Sequence, residues 1–434
     1  NLAASDNIDL TSVTTYRKFF LDLAYDLDMS AVPSLVSKQF GENKVFSQEV
    51  RGVVKGDRIT LTVGANYYRD HQFFNFATAS NGTNVNQPYT SPRVDSKLEA
   101  VGVFGQIEFK ITPELTLTGG LRWNSETTNY IVDYTQSTGA TGAVVAGNYL
   151  TGKVSDHAFI PSGGIDYKVS SDVLIYAKVS KGYQAPGFNG FPGPTATIAT
   201  SFNAERLTAY EVGVKSQFWD RRATFNLAGF YYDYKDLQVR NTLGPGQIET
   251  TNAGLATIKG IEAELSVRPT DGLTVSGNLT WLDAHYDNFC EIALISGNTV
   301  ANGNPACTDA VGRAGFQRAG NKLTNAPEWQ GSVAVNYVAP IGGAGDLRMN
   351  VSYSFFSSQS YTPSNEPALS SGNVSRLDAR IGFMLAGNGP ELYVYGKNLT
   401  DERFTDYGLR GLAQVALVHT SDPRTYGVGV RYRF

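Results

Sequence analysis

Cysteine is nearly absent: the chain of 434 residues holds two, Cys290 and Cys307. That excludes a disulfide-dense scaffold and a cysteine-rich zinc module. Methionine is as scarce, at three. The four histidines, His71, His157, His285 and His419, stand at no ligand spacing from one another, so the usual metal-site signatures are missing. No apolar run approaches the ~18 residues that a membrane-spanning helix needs. Neither sign of charge is in excess. The net is −4 at pH 7, which leaves no basic footprint and no expectation of a nucleic-acid partner. No Gly-x-Ser-x-Gly and no phosphate-binding glycine loop occurs. No nucleophile stands out beside an orienting base, so no catalytic residue, metal or cofactor is expected.

Glycine, tyrosine and phenylalanine are plentiful, at 45, 24 and 23. They sit in segments that alternate. Leu115, Leu117, Leu121 and Trp123 oppose Thr116, Thr118, Arg122 and Asn124. Leu273, Val275, Leu279 and Trp281 oppose Thr274, Ser276, Asn278 and Thr280. Leu377, Ala379, Ile381 and Phe383 oppose Arg376, Asp378 and Arg380. The end of the chain does the same: Tyr426, Val428, Val430, Tyr432 and Phe434 share one face, while Gly427, Gly429, Arg431 and Arg433 share the other. Strands with one apolar and one polar face account for this. A soluble sandwich would alternate too. The connections separate the two architectures. Short turns near 55–57, 112–114, 170–172, 219–222, 269–272, 341–345 and 387–390 interleave with long loops near 25–45, 71–96, 135–156, 188–205, 241–255, 289–327, 361–374 and 405–423. Tight turns on one rim and long loops on the other are the layout of a transmembrane antiparallel β-barrel. The pattern predicts an all-β chain of ~16 strands forming one domain over 1–434, an even number as such barrels require.

Several segments are similar to the TonB-dependent outer-membrane receptor family. They are LTSVTTYR (Leu10–Arg17), FSQEVR (Phe46–Arg51), SKGYQAPGF (Ser180–Phe188), LTAYEVGVK (Leu207–Lys215), FYYDYKDLQ (Phe230–Gln238), NAPEW (Asn325–Trp329) and NLTDERF (Asn398–Phe404). Their order and number extend the resemblance over essentially the whole chain. The resemblance implies a barrel of ~22 strands around an N-terminal plug. It also implies TonB-energised uptake of a scarce solute such as a ferric siderophore. No segment here resembles the plug or the box that contacts TonB. The chain is therefore expected to be the C-terminal portion of such a barrel, with ~6 strands unaccounted for. The expected partners are outer-membrane lipid and lipopolysaccharide, the TonB–ExbB–ExbD system acting through the missing N-terminal region, the barrel assembly machinery acting on the C-terminal strand, and a small-molecule ligand. The alternatives are a self-contained diffusion porin of ~16 strands and, less favoured, an outer-membrane hydrolase.

Within that layout, Cys290 and Cys307 share one long outer loop that contains no histidine, so a disulfide is expected rather than a metal site. Closing that loop contributes ~3 kcal/mol in the chain-entropy model. Glu108, Lys110, Arg122, Lys178, Glu211, Lys215, Glu262, Glu264, Arg268, Arg348, Asp378, Arg380, Arg431 and Arg433 are expected to project into the lumen. There they would hold a plug, tune a channel, or simply be solvated. Candidate ligand contacts are Tyr183, Phe188, Phe191, Tyr232, Tyr234, Arg240, Tyr361 and Tyr407, whose aromatic members could stack on a planar ligand or sit in the interfacial girdle. Tyr426, Val428, Val430, Tyr432 and Phe434 are the expected assembly signal.

Overall fold

The computed structural model describes residues 2–5, 7–26, 35–80, 93–133, 149–189, 200–244, 247–292, 306–308, 314–387, 389–410 and 416–432. One antiparallel sheet dominates it. Sixteen principal strands and the four-residue strand Leu2–Ser5 make up its seventeen members. The principal strands are β1 (Ile8–Asp26), β2 (Leu35–Lys55), β3 (Ile59–Ser80), β4 (Arg93–Lys110), β5 (Leu115–Asp133), β6 (Tyr149–Ser170), β7 (Val173–Gln184) and β8 (Glu205–Phe218). The second half comprises β9 (Ala223–Gly244), β10 (Gln247–Thr270), β11 (Leu273–Asn288), β12 (Trp329–Pro340), β13 (Gly345–Phe356), β14 (Val374–Leu385), β15 (Glu391–Lys397) and β16 (Thr425–Arg431). Each strand pairs with its neighbours in sequence, without crossovers. Leu2–Ser5 pairs with the start of β1, and β16 pairs with β15.

The outer face of the sheet carries its apolar rows. Leu121 is 51% exposed, Val103 51%, Val212 59% and Val428 81%. In a soluble protein such rows would be buried; as a continuous band they mark the lipid-facing side of a barrel. Aromatic residues end the band. On one rim Tyr16 faces Phe46 across the β1–β2 ladder, and the Phe46 and Tyr67 rings lie 6.3 Å apart. Around the same rim Trp123 faces Phe159, Tyr210 lies beside Tyr231, and Trp281 faces Trp329. From Phe109 up to Val101, β4 rises ~27 Å at ~3.4 Å per residue, or ~21 Å once tilted by ~40°, against the ~25 Å apolar band of outer-membrane barrels.

The inner face has few cores and many close approaches. Small buried clusters occupy it only towards the long-loop ends, around Val94, Tyr130, Val132 and Leu150 and around Val239, Ala256, Ala284 and Tyr286. Elsewhere aromatic rings lie over glycines directly opposite in the ladder: Phe74 on Gly41, Phe104 on Gly64, Tyr176 on Gly213, Phe230 on Gly260, Tyr393 on Gly429 and Tyr395 on Gly427. A Cβ at any of these glycines would stand 2.4–3.2 Å from the opposing aromatic side chain. Ring and glycine therefore fit only as a pair.

The strands reach further than their alternation suggests. The expected loop 25–45 gives way to β1 through Asp26 and β2 from Leu35. The loop 71–96 gives way to β3 through Ser80 and β4 from Arg93. The loop 135–156 ends at Tyr149, where β6 begins, and 241–255 is almost wholly strand, with β9 to Gly244 and β10 from Gln247. The loop 289–327 contains a three-stranded sheet of Cys290–Ile292, Ala306–Thr308 and Ala314–Gln317. The segment 405–423 contains a hairpin of Thr405–Arg410 with Ala416–Thr420. Past the membrane both faces of a hairpin meet water. Its ladder continues on backbone hydrogen bonds while the apolar-polar signature disappears.

Candidate ligand and lumen sites

Arg433 lies outside the described residues; the other charges expected in the lumen stand on the inner face, opposite the exposed apolar rows, and rings hold several of them. The Arg122 guanidinium lies 5.5 Å from the Phe104 ring centre. It donates from Nε to Asn124 Oδ1 at 2.6 Å and from Nη2 to Asn66 Oδ1 at 2.6 Å. Lys215 Nζ lies 5.6 Å from the Tyr176 ring, whose hydroxyl donates to Glu211 at 2.7 Å. Asn226 donates to Glu264 at 3.2 Å. Glu262 and Arg268 are exposed on the same strand.

The densest cluster spans β13–β16. Glu391 is 5% exposed. It meets Arg380 at 2.9 Å and Arg431 at 3.9 Å. Arg380 in turn sits 3.9 Å above the Tyr393 ring. Arg348 lines the same recess and meets Asp346 at 3.8 Å. Asp378 accepts the backbone N–H of Asn398 at 2.7 Å, so it braces a turn rather than standing free.

The ligand candidates do not converge. Phe188 stacks on Tyr130 at 5.0 Å, and the Tyr130 hydroxyl donates to the Asn189 carbonyl at 3.0 Å. Asn189 then exchanges two hydrogen bonds with the Thr250 backbone. Phe188 thus pins the β7–β8 connection to β5, and Asn189 pins it to β10. The Tyr361 hydroxyl donates to the Thr405 carbonyl at 2.5 Å and joins two outer segments. Tyr234 packs against the buried cluster of β9–β11. Tyr183 is half-buried beneath the Arg206 guanidinium, which also meets Asp156 at 2.9 Å. Tyr232 stacks on Phe230 at 4.8 Å on the inner face. Arg240 is exposed near the outer end of β9, and Tyr407 is 56% exposed opposite His419. Phe191 and Phe434 lie outside the described residues. Tyr426, Val428 and Val430 share the outer face of β16, at 80%, 81% and 66% exposure, and Tyr432, just past its end, is exposed too. Three histidines each touch a carboxylate: His71 with Asp95 at 3.2 Å, His285 between Asp283 and Asp287 at 3.2 and 3.1 Å, and His419 with Asp406 at 2.6 Å. No group of three or more His, Cys, Asp or Glu among the described residues is placed to hold a metal ion.

Cys290 and Cys307 form a disulfide, 17 positions apart. Beside it Arg318, 3% exposed, donates to Glu291 at 2.6 Å. Burial pushes the Glu291 carboxyl up, against the pull of that guanidinium. Two features escaped the sequence: the glycine seats beneath the inner rings, and the knot at Asn398. Both depend on cross-strand register, which alternation alone does not supply.

Residues 1–399 match the family model described as TonB dependent receptor-like, beta-barrel. The pesticin receptor of Yersinia pestis is 26% identical over 394 residues, 89% of this chain and 51% of the relative. The rhizobactin receptor of Rhizobium meliloti is 24% identical over 204 residues, 42% of this chain and 26% of the relative. Among solved structures, the ferric yersiniabactin uptake receptor from Yersinia pestis aligns with a TM-score of 0.80 at 20% identity, covering 99% of this chain and 60% of that one. The siderophore receptor PiuA from Acinetobacter baumannii gives 0.73 at 18%, covering 98% and 62%. These superpositions bear on fold alone. The chain spans about half the length of the pesticin receptor. It belongs to the TonB-dependent receptors, barrels of the Gram-negative outer membrane, and supplies a stretch of their β-barrel wall.

Proposed function

We propose that these residues are the wall of a receptor that takes up a scarce metal chelate, such as a ferric siderophore. Passage would be energised by the TonB–ExbB–ExbD system acting on a plug region beyond these strands. The family match over residues 1–399 carries this reading. Relatives named for siderophores or metal chelates agree with it, including a metal-pseudopaline receptor of Pseudomonas aeruginosa, 28% identical over 130 residues. The role is binding and transport rather than catalysis. Of the ligand candidates, Tyr232, Arg240 and Tyr407 fit ligand contact best, because Phe188, Tyr234 and Tyr361 already serve packing. The inner cations seated on Phe104, Tyr176 and Tyr393 would face whatever fills the barrel. The outer face of β16 would be read by the barrel assembly machinery. A diffusion porin is not favoured, since the relatives are receptors.

The test is uptake by iron-starved cells that carry the intact protein. Radio-iron presented as siderophore complexes should accumulate only while the proton-motive force is maintained. Uptake that persists after its collapse would support passive diffusion instead. Binding of no complex at all would remove the chelate reading.

A further inference from the structure

The short-turn end of the lumen wall holds two recesses side by side on β12–β16. The smaller, about 170 Å³, is lined by Asn336, Arg348, Asn350, Arg380, Glu391 and Arg431 among others. The larger, about 400 Å³, shares Asn350, Arg380 and Arg431 with it and extends to Ser352, Asp378, Tyr393 and Lys397. In outer-membrane barrels the short turns face the periplasm. The recesses therefore stand at the exit of the lumen, apart from the ligand candidates on β7–β9 and the outer segments.

Each recess sets three cations against one carboxylate. In the smaller, that carboxylate is the buried Glu391, 2.9 Å from Arg380 and 3.9 Å from Arg431. Arg348 reaches only Asp346, at 3.8 Å. In the larger, the carboxylate is Asp378, one oxygen of which is taken by the Asn398 backbone N–H. Lys397 makes no ion pair among the described residues, and the Nε atoms of Arg348 and Arg380 find no acceptor there. Like charges gathered on one wall repel, more strongly where bulk salt is kept at a distance. The Tyr393 ring, 3.9 Å from Arg380, offsets part of that repulsion, and Glu391 offsets more. Neither uses up the donors, and a donor without an acceptor calls for a partner. The way Glu391 is held shows which anion fits. Its carboxylate lies between two guanidinium groups, whose planar forks match a pair of carboxylate oxygens.

We propose that the two recesses are an exit subsite for a free carboxylate on the solute that passes through the barrel. Arg380 and Arg431 grip that carboxylate from between the recesses, with Arg348 on one side and Lys397 on the other. Glu391 competes for the same guanidinium groups, so the carboxylate is held weakly enough to leave. The substrate class is then a metal chelate with uncoordinated carboxylates, of the hydroxycarboxylate kind, rather than a neutral trihydroxamate. This deepens the uptake reading above and rests on it for the identity of the solute.

The test is isothermal titration calorimetry of the intact protein in mild detergent, with propane-1,2,3-tricarboxylate as the probe. The probe should bind, and its trimethyl ester should not. Arg431→Gln should weaken binding at least ~10-fold. Glu391→Gln frees two guanidinium groups and removes a competing charge, so it should tighten binding by a similar factor. A merely structural role for the cluster would move both variants the same way. Lys397→Gln alters an exposed side chain outside the Glu391 cluster and should weaken binding as well, which keeps the test open if Arg431→Gln does not fold. Arg58→Gln, in the β2–β3 turn, should match wild type. Wild-type protein that binds no tricarboxylate overturns the site. Equal binding of the ester overturns it too, as does unchanged affinity in folded Arg431→Gln and Lys397→Gln. Inorganic phosphate that binds as tightly as the probe would make the recesses a general anion patch and overturn the carboxylate assignment. Energised uptake confined to a carboxylate-free trihydroxamate chelate overturns the substrate class. Binding that responds to the variants, without energised uptake of any chelate, would leave the carboxylate site standing and overturn the transport reading instead.

Discussion

Gly213 shows what a single residue does in this wall. Its Cα is covered by the Tyr176 ring, and a Cβ would stand 2.7 Å from two of that ring's carbons and from its hydroxyl oxygen. The ring shields a bare stretch of strand from lumen water, and its outer surface carries Lys215. Phe104 over Gly64 carries Arg122 in the same way, and Tyr393 over Gly429 carries Arg380. Glycine in a strand interior is costly by itself; covering it with a cross-strand aromatic offsets that cost. The ring's negative face also helps to aim the cation, together with the Glu391 carboxylate in the case of Arg380. Gly213→Ala should therefore destabilise the barrel by ~1–3 kcal/mol, an overpacking penalty. In a Tyr176→Ala background the same change should cost much less, because the clash is gone. Urea midpoints of the four proteins complete the cycle, and additive effects would mean that the ring does not sit on the glycine. None of this was legible in the sequence. Gly213 and Tyr176 are far apart in the chain, and only the β7–β8 register brings them together.

At the scale of elements, the turn after β15 is held by one side chain. Asn398 is 1% exposed and adopts a positive φ of 51°. Its amide donates to the carbonyls of Glu402 and Asp422, and its Oδ1 accepts from the Glu402 N–H and the Thr400 hydroxyl. With its own N–H on Asp378, it ties β14, β15 and the approach to β16 together. Asn398→Ala leaves several buried groups unpaired and should cost ~3 kcal/mol or more, whereas Asn398→Gly would relieve only the backbone. Limited proteolysis between 398 and 424 reads the difference, and equal resistance of both variants to wild type would sink the account. Asp401, whose N–H donates to the Asn398 carbonyl, accepts the Arg424 N–H and lies beside the Arg424 and Arg403 side chains. These hold its carboxyl below its usual value of 3.8. A depressed carboxylate contributes stability above its unfolded value and loses it as pH falls through the folded one. The turn should thus loosen only below about pH 4, and Asp401→Asn should abolish that step in a pH series of the same digestion. The motif NLTDERF was visible in the sequence, but its work was not, because the acceptors come from three other segments. The outer sheet of 290–317 behaves differently: its disulfide was legible from two cysteines sharing one long outer loop. Replacing Cys290 and Cys307 by serine should open it by ~3 kcal/mol and expose it to protease, without changing the folded yield of the wall.

For the whole molecule, the decisive property is that one sheet meets two solvents. Alternation such as Leu121 beside Arg122 revealed the two faces and the strand count, because every slip of one residue would exchange them. It failed where only one solvent remains, which is why β9 and β10 run to Gly244 and from Gln247 through a predicted loop. It says nothing of Phe188 and Tyr361, candidate ligand contacts whose side chains brace outer segments against each other. An aromatic in a loop carries the same letter whether it waits for a ligand or closes a gap. The two-solvent account makes a demand that a soluble sheet would not meet. Leu121 stands 51% exposed in the middle of the apolar band. Thr118, on the other face of the same strand, lies directly opposite Glu108. Leu121→Arg should lower the stability of the barrel in phospholipid vesicles by ~2–4 kcal/mol, since the guanidinium has no water to face at that depth. Thr118→Arg should change it by less than ~0.5 kcal/mol, because its guanidinium gains lumen water and a carboxylate. Were the sheet a soluble one with its inner face buried, the order would reverse: an exposed Leu121→Arg would be tolerated and Thr118→Arg would not. Urea titration of both variants, refolded side by side into vesicles, decides which face touches lipid.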